Sequence, residues 1–363
     1  MDDKNIFQIV PGKNNKGEHI FSVVVKRTYR LENGKVAKRC QQDRPLREAD
    51  EYYDKGDPEW ATIKYEAELA PYKNFVDVVI IGKAYAANKQ PTPWMRTNVN
   101  IANRKKSLII FGDRTCSFRP DKPPIFSDPI PFTEMELRYE KAYGGKDETS
   151  VPDIPFIYPR NDIGTGVVLK NIEESVEGLS LPNIEHQQDL LTPERIIINE
   201  PERWPQQPLP HGFGWLQRNW YPRYTYSGLY PPYVDTESHF PEEAMGLVPK
   251  NHIALAKQNK LPSFDTRFNN GASLGLTFTS LTGNEAVSLQ GLTPKGELNF
   301  QLPAEEPTIS LDLGTGMKQL EARLDTICIR PDILEMDMIW RGSQVYPGYQ
   351  WLPKMTKLEA RIN

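Results

Sequence analysis

Gly271-Ala272-Ser273-Leu274-Gly275 has the G-x-S-x-G spacing of a nucleophile elbow, in which a strand-to-helix turn thrusts the serine hydroxyl outward. The flanks argue against that chemistry. Arg267-Phe268-Asn269-Asn270 is polar where an apolar strand is required, and residues 276–281 alternate like a strand rather than a helix. No histidine follows the serine, since His252 is the last of five. His19, His186, His211, His239 and His252 show no metal-ligand spacing, and no Cys-x-x-Cys accompanies them, so no metal is expected. Gly164-Thr165-Gly166 and Gly314-Thr315-Gly316 lack the strand–loop–helix surroundings of a phosphate cradle and read as turns. No cofactor is expected.

Two groupings survive that screen. Glu136 and Glu140 are the kind of acid pair a glycosidase sets across a sugar, and an aromatic platform often stacks the ring. With 48 acids in the chain, however, near pairs also arise by chance. The second grouping is residues 210–230, PHGFGWLQRNWYPRYTYSGLY, which includes Trp215, Trp220, Tyr224 and Tyr226. Trp, Tyr and Arg dominate protein-binding hot spots because each joins a large buried area to a polar handle. The same composition also suits a proline-bounded core strand with some aromatics turned inward. Composition leaves these two readings level.

The elements that must position these residues are strands. Phe21, Val23, Val25, Tyr29 and Leu31 recur at period two and line one face. Asn33-Gly34 then tolerates positive φ at both turn centres, which predicts a hairpin returning through Val36. Val287 and Leu289 alternate, Thr293-Pro294-Lys295-Gly296 turns the chain, and Leu298, Phe300 and Leu302 alternate back. Ile309, Leu311 and Leu313, then Leu324, Ile327 and Ile329, then Leu334, Met336, Met338 and Trp340 extend the pattern. Helical signal is confined to residues 241–244 and 253–258. The prediction is a mainly β protein of antiparallel sheets, sandwich-like in arrangement, with few short helices and long proline-rich loops. The 32 prolines in 363 residues, against a usual level of about 5%, enforce those loops. Proline and glycine crowd between Gly144 and Gly166. This suggests a β-rich N-terminal region of residues 1–145 and a β-rich C-terminal region of residues 146–363, or a single unit over most of 1–345.

A net charge of −4, with one basic cluster at Arg104-Lys105-Lys106, argues against a nucleic-acid partner. The opening MDDKNIFQIV lacks a basic leader followed by an apolar stretch, and no run approaches a membrane span. Three scattered cysteines (Cys40, Cys116, Cys328) fit reduced thiols. These features lead us to expect a cytoplasmic protein without stable membrane insertion.

Several segments stand in register along the chain: residues 23–29 and 77–84, Gly112-Asp113-Arg114, and Glu136-Leu137-Arg138-Tyr139-Glu140-Lys141-Ala142-Tyr143-Gly144-Gly145. Leu181-Pro182-Asn183-Ile184-Glu185, Gly212-Phe213-Gly214, Trp220 and Pro222-Arg223 follow, then Leu324-Asp325-Thr326 and Ile339-Trp340-Arg341-Gly342. Together they resemble one bacterial family, domain of unknown function 2169. The resemblance implies a non-enzymatic adaptor or chaperone of type VI secretion. Such a protein binds a toxin effector near a PAAR-like tip domain and helps load it onto the spike, with the spike itself as a further candidate partner. The alternative drawn from the residues is a carbohydrate-active or carbohydrate-binding protein using residues 210–230. Glu136, Arg138, Tyr139, Glu140, Gly144, Gly145, Gly212, Gly214, Trp220, Arg223, Asp325, Trp340 and Arg341 lie in shared motifs and are expected to be structural. Trp215, Tyr224 and Tyr226 fall between the motifs and are the expected partner contacts. Residues 231–261 depart from the family pattern.

Overall fold

The alternation in residues 21–31 folds as a twelve-residue strand, His19–Arg30, at the heart of a seven-stranded sheet. In the computed structural model, residues 6–54, 61–119, 122–147, 156–167, 176–196, 206–229, 254–255, 258, 260–348 and 357–363 are described. The helix expected over 241–244 lies outside them, as do parts of the one over 253–258 and most of the divergent stretch 231–261.

The seven-stranded sheet runs Phe7–Lys13, His19–Arg30, Glu335–Val345, Arg323–Arg330, Val76–Ile80 and Thr277–Phe278, with Lys38–Arg39 attached to His19–Arg30. A six-stranded sheet runs Ile184–His186, Arg104–Phe111, Trp94–Ile101, Ala286–Gln290, Glu297–Gln301 and Lys35–Val36. The architecture is mainly β, the pairings are mostly antiparallel, and among the described residues no sheet closes into a barrel. The exceptions include Val76–Ile80, which runs parallel to Arg323–Arg330. Both sheets draw strands from either side of residue 145. Within the glycine-rich stretch 144–166 the chain folds back, so that Tyr143–Gly144 pairs in parallel with Thr165–Gly166. No helix among the described residues is long and apolar enough to cross a membrane.

One hydrophobic core joins the two sheets. Val23, Val25 and Tyr29 meet Trp340, Met338 and Met336 on one side, and Val99, Ile101, Leu108, Leu289 and Phe300 on the other. The hairpin at 293–296 forms as expected, pairing Val287 with Phe300 and Leu289 with Leu298. The shift in apolar phase between Leu324 and Ile327 has a structural cause, a bulge between Leu324 and Thr326.

The turn at Asn33-Gly34 also forms, with Lys35 N donating to Glu32 O at 3.1 Å and Gly34 at φ 75°. The returning strand takes a different partner from the one expected. Gly34 N donates to Asn299 O, Asn299 N donates to the Asn33 side chain at 2.7 Å, and Lys35–Val36 joins Phe300-Gln301 in parallel. Only Lys38–Arg39 comes back to Tyr29-Arg30. Asn33 therefore fixes the turn to a neighbouring strand.

Period two also understates the burial of His19–Arg30. Its opposite face carries Ser22, Val24, Lys26 and Thr28, and these are as buried as the apolar face. Residues 43–47 and 68–71 cover that face and meet its charges with charges. Lys26 Nζ donates to both oxygens of Glu68 at 2.7 and 2.8 Å. Arg330 binds Asp337 through two nitrogens at 2.5 and 2.9 Å, and Thr28 Oγ1 donates to Asp337 at 2.8 Å. Arg341 pairs with Asp325 and donates to Ala70 O at 2.6 Å. A charge buried without such partners costs several kcal/mol, roughly 3–5 when one member of a pair is removed, so the layer must be complete to be tolerated.

Candidate functional site

The motif Glu136-Leu137-Arg138-Tyr139-Glu140 is itself a period-two segment. It continues the strand Glu134–Glu136, which pairs with Lys83–Tyr85, into extended backbone at Arg138 and a single 3-10 turn, Tyr139–Lys141. Met135, Leu137 and Tyr139 therefore enter the core, while Glu136, Arg138 and Glu140 share the other face. Arg138 Nη2 donates to Glu140 Oε1 at 2.9 Å and to Asp54, and Arg138 Nη1 lies 3.5 Å from Glu136 Oε2. Glu140 is engaged further by the backbone N of Thr62 at 2.8 Å and by its hydroxyl. Burial works against the Arg138 charge, and the hydrogen bonds to Glu140 and Asp54 outweigh it, so the guanidinium is held charged.

Arg138 and Glu136 form a ridge shared by two cavities. The first, of about 530 Å³, lies against Arg114, Glu140, Lys141 and Asn183. The second, of about 350 Å³, lies against Tyr53, Lys64, Tyr65 and Asp332. Asn183 ties the first wall together, donating from Nδ2 to Asp113 Oδ1 at 2.9 Å and to Phe111 O at 3.2 Å. Gly112 is required there, because a Cβ would fall 1.8 Å from the backbone oxygen of Ile130. Arg114 is buried, stacks 3.9 Å above the centre of the Phe111 ring, and pairs with Glu185. Ile130, on the lining of the first cavity, is 65% exposed, and elsewhere on the surface Trp94, cross-strand neighbour of Phe111, is 51% exposed.

The motifs that meet at this ridge, residues 112–114, 136–141 and 181–183, are three of those on which the family resemblance rests. A profile described as "Uncharacterized protein conserved in bacteria (DUF2169)" matches residues 16–341. The chain belongs to this family. Comparison with curated proteins and with solved structures returned no match.

The other family motifs are interior. Trp220 is buried, donates from Nε1 to Asp162 at 2.8 Å and packs edge-on against Tyr139 with centroids 5.1 Å apart. Arg223 is buried, binds Leu216 O and Phe268 O at 2.7 and 2.8 Å, and pairs with Glu66. Trp340 is in the core beside the Arg341–Asp325 pair. At Gly144 (φ 154°) a Cβ would fall 2.1 Å from Asn161 O, and at Gly145 one would lie 2.9 Å from Gly164 O. A Cβ on Gly212 would press on the Tyr139 ring at 3.0 Å, whereas Gly214 has open space.

The expected partner contacts divide. Trp215 is a correction: it is 4% exposed, lies in the core and bridges to Ala272, so it presents no face to a partner. The core that encloses it is assembled from segments far apart in the chain, which local sequence does not reveal. Tyr224 and Tyr226 sit half-buried on the 3-10 turn Arg223–Tyr226, with the Arg267 guanidinium 4.3 Å from the Tyr226 ring centre. With Trp215 and Trp220 interior, a sugar-stacking face among the described residues 210–229 has Tyr224 and Tyr226 to offer. Trp94 and Ile130 escaped the sequence reading. Trp94 leaves a signal, since it shares a strand face with Arg96, Asn98 and Asn100, where a tryptophan is out of place.

Ser273 is buried. Its Oγ donates to Gly212 O at 2.7 Å and accepts from Lys106 Nζ at 2.6 Å. Lys106 also donates to Leu274 O at 2.6 Å, and burial among these neutral partners lowers its pKa to about 7. His211 stacks on His186 at 4.5 Å between centroids, and burial, with Lys106 and His186 nearby, lowers its pKa to about 2. Among the described residues no group of three or more His, Cys, Asp or Glu is placed to hold a metal ion. The three cysteines are free, with Cys116 and Cys328 buried.

Proposed function

We propose that this protein is a cytoplasmic, non-enzymatic adaptor or chaperone of a type VI secretion system. It binds a toxin effector near a PAAR-like tip domain and helps load the toxin onto the spike. The observation that carries this reading is the Arg138 ridge. Family motifs from three distant segments converge there, and its acids are engaged in hydrogen bonds or ion pairs rather than left free for proton transfer. A recessed polar surface with an exposed isoleucine, Ile130, on its lining suits recognition of a protein, for which hot spots matter and perturbed carboxyl groups do not.

The test is co-expression with a toxin encoded beside this gene, followed by affinity purification of the tagged adaptor. The toxin is expected to co-purify and to lose solubility or spike loading when the adaptor is deleted. A toxin that is soluble, stable and loaded in the deletion strain overturns the proposal.

A further inference from the structure

An edge strand carries a row of unpaired backbone groups, and short length or charge keeps it from pairing with another chain. Most edges of the larger sheets are protected in this way. Thr277–Phe278 and Lys35–Val36 are two residues long, and Ile184–His186 is three and carries Glu185. Lys318–Leu320 opens on an exposed lysine, and Glu359–Ile362 carries Glu359 and Arg361. Phe7–Lys13 differs. It borders the seven-stranded sheet over seven residues, and its run Phe7-Gln8-Ile9-Val10 has no charge. Lys26 N donates to Ile6 O at 2.9 Å, which fixes the alternation along this strand. Gln8, Val10 and Gly12 bond to His19–Arg30, while Phe7, Ile9, Pro11 and Lys13 turn their backbone groups away from it. Among the described residues no strand pairs with that outer side. Pro11 has no N–H to offer there, so outward pairing is confined to the run before it. The Phe7 and Ile9 side chains reach the core beside Val25 and Val23 but are only half-buried, and Gln8 is exposed on the opposite face.

We infer that the outer edge of Phe7–Lys13 pairs antiparallel with the same edge of a second copy of this chain, continuing the large sheet through a two-fold axis at Gln8. Phe7 and Ile9 of one copy then exchange both backbone hydrogen bonds with Ile9 and Phe7 of the other, which satisfies both outward N–H groups of the uncharged run. Their half-exposed side chains lie directly opposite and cover one another, as apolar cross-strand pairs do. Gln8 falls opposite Gln8, and Pro11 falls opposite Asn5, beyond the paired run. The same register sets Lys13 of each copy opposite Asp3 of the other. The two ends of the segment thus carry opposite charges, which favours antiparallel pairing of like with like. A two-fold contact requires this self-complementarity, because each residue meets its counterpart through the same axis. The inference is independent of the adaptor reading.

Sedimentation velocity of the full chain over a concentration series should show a reversible monomer–dimer equilibrium. Gln8→Lys and Gln8→Glu place like charges against each other on the axis, and each should weaken dimerisation at least about tenfold at low salt. An equimolar mixture of the two should restore it, which excludes misfolding as the cause of either loss. Gln8→Cys should form a disulfide-linked dimer on mild oxidation, because opposed residues of a non-hydrogen-bonded pair stand about 4.5 Å apart at Cα. The wild type, with Cys40, Cys116 and Cys328, and the variant Lys16→Cys in the following turn should not crosslink. A wild type that stays monomeric at every concentration, Gln8→Lys and Gln8→Glu that each dimerise as well as the wild type, or Gln8→Cys that crosslinks no better than Lys16→Cys overturns the inference. The co-expressed toxin tests the rival occupant through Ile9→Pro, which removes an outward donor and spares the bonds to His19–Arg30. A monomeric wild type that holds the toxin, and loses it on this substitution, assigns the edge to a client strand and overturns self-pairing while the adaptor reading stands. A wild type that dimerises through Gln8 but holds no toxin leaves self-pairing standing and the adaptor reading overturned.

Discussion

Asp337→Ala is expected to destabilise the protein by about 3–5 kcal/mol, the largest effect of any single substitution considered. Asp337 is fully buried and accepts from Arg330 twice and from Thr28 once, with Lys26 Nζ 3.6 Å and Arg47 Nη1 3.7 Å away. Removing it strands the Arg330 guanidinium in the interior, where Glu335 at 3.7 Å is the nearest remaining ion-pair partner. Urea unfolding of the purified protein measures the loss, and Asp337→Asn should be milder because the amide oxygen can still accept one hydrogen bond. Lys83→Ala, which removes a more exposed pair with Glu134, serves as the control and should change little. A loss for Asp337→Ala no larger than for Lys83→Ala overturns the claim that the covered face of the large sheet is a tightly coupled polar layer. The pH dependence follows from the same site. Burial pushes the Asp337 carboxyl up, but the hydrogen bonds from Arg330 and the charges of Lys26 and Arg330 prevail and hold it below its ordinary 3.8. Its contribution is thus fully present above that value and is lost as pH falls below it, because the unfolded chain takes up the proton first.

Lys106 works in the opposite direction. Burial lowers its pKa from 10.5 to about 7, so between those values the folded protein holds a neutral amine while the unfolded chain carries an ammonium. Unfolding then takes up a proton, and stability rises with pH across this window. Below about pH 7 both states are charged and the cost of burying that charge is constant. Between pH 7 and pH 9 the gain is roughly 2 kcal/mol. The groups facing Lys106 are the Ser273 hydroxyl, Leu274 O, the Phe213 ring at 5.8 Å, and the imidazoles of His186 and His211. No carboxylate forms an ion pair with Lys106 among the described residues, which is why its neutral form is favoured. Lys106→Met should abolish this slope. The measurement is the difference between the two proteins in denaturant unfolding across that range, which cancels titrating groups common to both. Parallel pH profiles for wild type and Lys106→Met contradict the assignment.

The strand architecture was largely legible because strand formation depends on local pattern. Alternation between Val287 and Leu302 and the glycine-bearing turn at 293–296 each correspond to an observed feature, whereas the bulge after Leu324 came only from the structure. Within Glu136-Leu137-Arg138-Tyr139-Glu140, where the sequence suggested an acid pair and structural motif residues, the structure places Leu137 and Tyr139 in the core and the charged residues on the other face. Alternation gives no information about what covers the other face. Lys26, Asp337 and Arg341 occupy positions that alternation alone assigns to solvent, and the return of residues 43–47 and 68–71 makes them interior.

The candidate site shows the same division. Residue order was enough to establish a mainly β chain of short strands and proline-rich turns, a G-x-S-x-G without the setting of a nucleophile elbow, and the motifs of the family. Folding in three dimensions was needed to put Trp215 inside, to leave Trp94 and Ile130 outside, and to bring Lys64 and Lys141 to either side of one arginine ridge. Hydrogen-bond geometry and side-chain alternation are properties of a few neighbouring residues. Burial and charge pairing depend also on distant segments, such as those carrying Thr28 and Asp337, brought together only when the chain folds onto its common core.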